Sequence, residues 1–231
     1  MAVILNIETS TMVCSVALSV DGIVQAIQES HIKNAHAESI TLFSQEVIEQ
    51  AGYSFNDLDA IAVSKGPGSY TGLRIGVSTA KGLCYAKDIP LISVNTLKAM
   101  AYGMRMHNNV EPYLYCPMID ARRMEVYVAV FNQKLDTVTE TKAEIIDENS
   151  FSKVLANNKM LFAGDGAGKC KTPLSKNQNA HFIDDFFPSA SFLSALAEEK
   201  FNKELFEDVA YFEPFYLKDF VAGVPKVKGL K

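Results

Sequence analysis

The stretch VILNIETSTMVCSVALSVDGIVQAIQE, residues 3–29, decides the fold. Residues 3–8 are a short apolar run rich in β-branched side chains, which favours a strand. Polar residues 9–12 turn the chain, and 14–20 then alternates with the period of a half-buried strand. Asp21-Gly22 suits a two-residue hairpin turn, whose central residues need positive φ. Alternation resumes over 23–29. Three strands therefore open the chain as two successive hairpins.

Beyond residue 30 the period changes. Ile40, Phe43, Val47 and Ala51 recur at spacings of three and four, which predicts a helix over 37–51, stopped by Gly52. A buried strand is predicted at 60–64, a second helix at 71–87 ended by Asp88 and Pro90, a strand at 91–94 and a third helix at 96–106. The second half repeats the theme: strand-like runs at 113–120 and 125–132, a weaker one at 137–146, a helix at 149–156 and a short buried strand at 160–163. An amphipathic helix at 189–202 carries Phe192, Leu193 and Leu196 on one side. The rest of 133–190 gives loops without clear edges. The polar stretch MHNNVEP, 106–112, marks a boundary near 105–112. The reading is two α/β lobes, 1–106 and 107–231, with a C-terminal segment free to pack back on the first lobe.

Between the strand at 60–64 and the second helix lies KGPGSYTG, residues 65–72. A glycine-rich strand-to-helix turn is a common phosphate holder. The dinucleotide pattern G-x-G-x-x-G fails, however, because Thr71 stands at the third glycine and Gly72 comes one residue late. At the second glycine cluster, GDGAG (164–168), Gly168-Lys169 is followed by Cys170 and preceded at the required distance by Ala163, so the P-loop pattern fails as well. That cluster reads as a turn. Ser69, with Thr71 as rival, is placed to cap the helix. Gly72, Gly76 and Ala80 form a stripe of small residues four apart, fit either for packing on the chain's own sheet or for contact with a partner helix.

Composition excludes other classes. The chain has 231 residues, 48% of them hydrophobic, enough for a packed core. A net charge of −5 argues against a protein that grips nucleic acid alone, and the basic-leaning tail KVKGLK, 226–231, reads as a solvated terminus. Cys14, Cys84, Cys116 and Cys170 form no CxxC pair and read as small core residues of a reducing compartment. His31 and His36 read as surface histidines, and no H-E-x-x-H or G-x-S-x-G motif occurs. The N-terminus enters a strand without a leader pattern, and no membrane-length apolar run appears, so a soluble, cytoplasmic protein is expected.

Four stretches carry a family resemblance: ILNIETSTMVCSVALS (4–19), KGPGSYTGLRIGVSTAKGL (65–83), PLISVNTL (90–97) and DARRMEVYVAVF (120–131). Together they resemble the TsaB (YeaZ) family, the partner subunit in bacterial tRNA threonylcarbamoyladenosine synthesis and a paralogue of the catalytic subunit TsaD. The likeness is good over 1–132 and thin beyond, apart from FEPFYLKDF at 212–220. It implies a two-lobed actin/Hsp70/sugar-kinase-like (ASKHA) fold, each lobe opening with three strands. It also implies that Thr96 and Met100 stand where a TsaD-type subunit has metal-binding histidines, which neither a hydroxyl nor a thioether replaces. Glu8, Thr9 and Ser10 keep the outline of one phosphate loop, and Asp120 heads a second whose glycines are replaced by Ala-Arg-Arg-Met.

On this reading the chain is a non-catalytic scaffold with no cofactor of its own, any nucleotide sitting only at an interface with partner subunits. Its expected partners are a TsaD-type subunit, a TsaE-type ATPase, a second copy when alone, and tRNA only through the complex. Ile40, Phe43, Val47, Gly72, Arg74, Gly76, Val77 and Lys81 are the expected contact residues. An active ATP-dependent transferase or kinase is the alternative, and a glycoprotease-like peptidase the third choice.

Overall fold

The computed structural model describes residues 1–32, 36–107 and 112–218. β1 (Val3–Glu8) pairs antiparallel with β2 (Cys14–Val20), and β2 with β3 (Ile23–Ser30). Asp21 and Gly22 take φ of 49° and 74°, as the hairpin turn requires. After α1 (His36–Gln50), β4 (Ala60–Gly66) joins β1 in parallel; α2 (Tyr70–Lys87) then leads to β5 (Leu91–Asn95), parallel to β4. The first sheet thus runs β3-β2-β1-β4-β5.

Next, α3 (Thr96–His107) passes to the second lobe. There β6 (Leu114–Asp120), β7 (Glu125–Phe131) and β8 (Thr137–Ile145) form another antiparallel meander, followed by α4 (Ser152–Leu155), β9 (Met160–Ala163), α5 (Ala167–Leu174) and β10 (Ala180–Phe182). Their sheet runs β10-β9-β6-β7-β8. Read from the meander inward, both lobes have the same order, so the chain is one α/β design built twice.

Several edges differ from the sequence reading. The helix expected at 149–156 is the short α4, and the GDGAG turn runs directly into α5, an unforeseen helix capped at Gly166. Pro173 near the end of α5 hides it from a propensity reading. The helix expected at 189–202 is a 3-10 turn (Ala190–Phe192) followed by α6 (Ser194–Asn202). Much of the expected lobe boundary, 108–111, and the basic tail lie outside the described residues.

β1, β2 and β4 are buried on both faces, which is why β1 and β4 read as continuous apolar runs. Beneath one face lie Ile40, Val47 and Ile48 of α1 and Val77, Ala80 and Cys84 of α2. Burying each large aliphatic side chain there stabilises by about 1.5–3 kcal/mol. Against the other face pack Ala99 of α3 and Leu193 and Ala197 at α6. Leu97, Met100, Ala101 and Met104 of α3 enter the second-lobe core, so this helix is shared between lobes.

The chain then returns along the first lobe. The Glu207 amide donates to the Leu91 carbonyl at 2.8 Å, and the Phe215 amide to that of Lys65 at 2.7 Å. Val209 and Phe212 pack on the α1/α2 side of the first core.

Candidate functional site

A cleft of about 880 Å³ opens between the lobes, lined by the β1–β2 turn, the KGPGSYTG turn, Asp120–Arg122, Asp165 and Tyr216–Lys218. It lies where a nucleotide would sit if the phosphate loops were intact, so the loops decide its chemistry.

In the first loop, backbone occupies the space a phosphate would need. A Cβ on Gly68 would fall inside 3.0 Å of the Ser10 carbonyl, one on Gly72 inside 3.0 Å of the Thr9 carbonyl, and one on Gly76 inside 3.0 Å of Thr9 Oγ1. The glycines therefore let the start of α2 dock directly on the β1–β2 turn. The Ser69 amide donates to Ser10 O at 2.6 Å, that of Gly72 to the Ser69 side chain at 3.3 Å, and that of Leu73 to Ser69 O at 2.8 Å. Thr9 Oγ1 donates to Gly72 O at 2.8 Å. Helix-start amides that would cradle an anion are thus tied up within the chain. Ser69 is the N-cap, as its position predicted.

Glu8 is fully buried and accepts the Ser10 amide at 2.6 Å on Oε1, while Oε2 lacks a hydrogen-bond partner among the described residues. Burial raises its carboxyl above the ordinary range, against the opposing hydrogen bonds around Ser10, Ser64 and Thr9.

The second loop is closed differently. Asp120 Oδ1 accepts the Arg122 amide at 2.7 Å and the Lys169 ammonium, and the Asp120 amide donates to Asp165 at 3.0 Å. Ala121 N and Glu125 N bond within the turn, to Glu125 O and Arg122 O. Arg122 and Arg123 adopt φ of 70° and 50°, strained values that let the turn close without glycine. Burial raises the Asp165 carboxyl, with the neighbouring Asp120 charge adding to it and the Asp120 and Gly166 amides opposing.

Thr96 and Met100 have structural employment. Thr96 Oγ1 accepts the Gly66 amide at 3.1 Å. Gly66 has φ of 109°, and a Cβ there would meet the Phe215 carbonyl at 2.7 Å, so the position needs glycine. Met100 is fully buried in the second core, and its Cε lies 2.7 Å from where a Cβ on Gly164 would stand. Among the described residues no group of three or more His, Cys, Asp or Glu is placed to hold a metal ion.

Burial corrects the expected contact residues. Ile40, Val47 and Val77 are 2%, 0% and 4% exposed and belong to the first core, against which Phe43 also packs. Gly72 and Gly76 face Thr9, so the small-residue stripe serves packing within the chain. Lys81 donates to the carbonyls of Ala210 and Phe212 at 3.1 and 3.0 Å. Arg74 is exposed, yet its guanidinium lies 4.2 Å over Tyr70 and its Nε donates to Tyr216 at 3.2 Å. The outer ridge of the two helices instead presents Leu42 and Tyr85, 52% and 86% exposed.

Sequence reasoning also misplaced His36. It is 7% exposed, and its Nε2 lies 3.0 and 3.1 Å from the carbonyls of Thr11 and Val13, fixing the β1–β2 turn; His31 is exposed as expected. The cleft-rim residues Tyr216–Lys218 were missed, although the aromatic run FEPFYLKDF was visible as a packing signal.

Comparison with known proteins adds three findings. The profile of the family described as "TsaD: tRNA N6-adenosine threonylcarbamoyltransferase" matches residues 23–226. The Escherichia coli (strain K12) "tRNA threonylcarbamoyladenosine biosynthesis protein TsaB" is 32% identical over 229 residues, covering 95% of this chain and 96% of the relative. A crystal structure of an uncharacterized Pseudomonas aeruginosa protein, similar to peptidase YEAZ, superposes with a TM-score of 0.84 at 24% identity, over 94% of this chain and all of that one. At fold level alone, the activator of 2-hydroxyisocaproyl-CoA dehydratase from Clostridium difficile, with bound ADPNP, gives 0.53 at 8% identity, covering 88% and 97%.

Proposed function

The chain belongs to the TsaB (YeaZ) family and has a role in tRNA threonylcarbamoyladenosine biosynthesis; from that premise we propose that it is a non-catalytic subunit that supports a TsaD-type transferase in the cytoplasm. The observation that carries this reading is the closure of both phosphate-loop positions by the polypeptide's own hydrogen bonds. Preorganised amides aimed at a reacting phosphate are the usual source of catalysis in this fold class, and here they are engaged elsewhere.

The docking surface in this account is the outer ridge of α1 and α2, centred on Leu42 and Tyr85. Two large apolar side chains so exposed on neighbouring helices suit a partner surface with an aromatic anchor. The same ridge would join two copies when no transferase is present, and a TsaE-type ATPase would add to the pair. tRNA would reach the subunit through the complex. The test is sedimentation of the purified chain, alone and with a TsaD-type subunit. A concentration-dependent dimer that gives way to a mixed complex supports the reading; a monomer that ignores the transferase defeats it.

A second reading has one observation in its favour. The cleft is roomy, and its carboxylates Asp120 and Asp165 would suit a magnesium nucleotide. Calorimetric titration of the isolated chain with Mg·ATP separates the two. The scaffold reading expects no turnover, whereas an active transferase or kinase would bind and hydrolyse.

A further inference from the structure

We propose that Lys65, Lys98 and Lys200, three half-buried lysines gathered at the carboxyl ends of β4 and β5, form a binding site for a phosphate group. The inference does not rest on the scaffold reading. Pairing of β4 with β5 slips between Ser64 and Gly66, leaving Lys65 as the bulged residue, and a bulge re-aims a side chain. Lys98 sits in the first turn of α3, its amide held by Asn95 Oδ1 at 3.0 Å. Lys200 reaches in from α6 and donates to the Ser93 carbonyl at 2.6 Å. The anchors Lys65, Ser93 and Asn95 therefore bring three separate elements to one corner of the sheet.

Charge there is unbalanced. Lysines are seldom covered without a counter-charge. Neither the Lys65 nor the Lys98 amine makes an ion pair or side-chain hydrogen bond to a described residue, and Lys200 bonds only a neutral carbonyl. One acid, Glu207, faces the cluster, its carboxylate accepting from Ser93. Glu199 lies within range of Lys98 but is engaged by Lys203. Burial, then the charges of Lys65 and Lys98, hold the Lys200 amine below its ordinary pKa, and Glu207 opposes them. A chain of net charge −5 thus concentrates three ammonium groups around one carboxylate. Crowded cations of this kind bind a multiply charged oxyanion by relieving their own repulsion. The place also suits a ligand, because the strand order β3-β2-β1-β4-β5 runs outward from β1 both ways, and α/β sheets bind ligands beyond their carboxyl ends near such a switch.

The phosphate could be free or part of a polynucleotide, and the experiment separates these. Inorganic phosphate is titrated into the full chain, read by thermal shift and by 31P line broadening. The wild type should melt higher with phosphate. The Lys65→Gln/Lys98→Gln double variant should lose that shift, bind phosphate at least about tenfold more weakly (the loss of one charged contact), and melt no lower than wild type when phosphate is absent. Filter binding of bulk tRNA across salt concentrations then identifies the source. A polynucleotide source lowers the log–log salt slope of the double variant by about two; an unchanged slope assigns the site to free phosphate. No phosphate-dependent shift in the wild type, or an equal shift in the double variant, overturns the proposal.

Discussion

Gly76→Ala puts a methyl group against Thr9, whose Oγ1 would lie inside 3.0 Å of it, with Cβ and Cγ2 at 3.4 and 3.5 Å. Thr9 is fully buried and its hydroxyl holds Gly72 O, so it cannot swing away freely. Overpacking of this kind costs about 1–3 kcal/mol. Alanine in place of a helical glycine returns about 1 kcal/mol. The single variant should therefore be destabilised by about 1 kcal/mol. Thr9→Ala alone loses one buried hydrogen bond, also about 1 kcal/mol. In the double variant the clash is absent and the helix gain remains, so its stability should return close to wild type. The cycle predicts a favourable coupling of about 1–3 kcal/mol, read from urea midpoints. Additive effects, or a Gly76→Ala variant as stable as wild type that fails only in partner binding, would show that the small-residue stripe faces outward and refute the packing argument.

Glu8→Gln tests the buried acid. Its pKa is raised in the fold, so folding takes up a proton; that contribution is complete below the unfolded pKa and fades as pH rises through the folded value. The Gln variant should match wild type near pH 4 and gain on it progressively toward pH 8 in urea titrations, and a variant that loses ground as pH rises would contradict this. Met100→Ala should cost about 2–5 kcal/mol through a cavity in the second core, measured by thermal unfolding. Tyr85→Glu, on an 86% exposed side chain, should leave the melting temperature within a degree or two yet abolish self-association in sedimentation.

The three-strand openings were legible because alternation, a two-residue turn and β-branched runs all pointed the same way over 3–29. The lobe symmetry followed from the same pattern recurring at 113–146. What the sequence hid was long-range. Burial of Ile40, Val47 and Val77 and exposure of Leu42 and Tyr85 depend on which side of α1 and α2 meets the sheet, and apolar residues occur on both sides. His36 was misread because its two carbonyl partners come from the β1–β2 turn, 23 and 25 residues away. The closing of the first loop was legible only as failed fingerprints; that Ser69 and Ser10 bond each other required the fold.

The central claim is that this subunit acts by docking. Sedimentation of an equimolar mixture with a TsaD-type subunit, comparing wild type with Tyr85→Glu, tests it most directly. The account predicts a mixed complex for the wild type and separate species for the variant, with transferase activity recovered only in the first mixture. An isolated chain that transfers the threonylcarbamoyl group unaided, or a Tyr85→Glu variant that assembles like wild type, would contradict it.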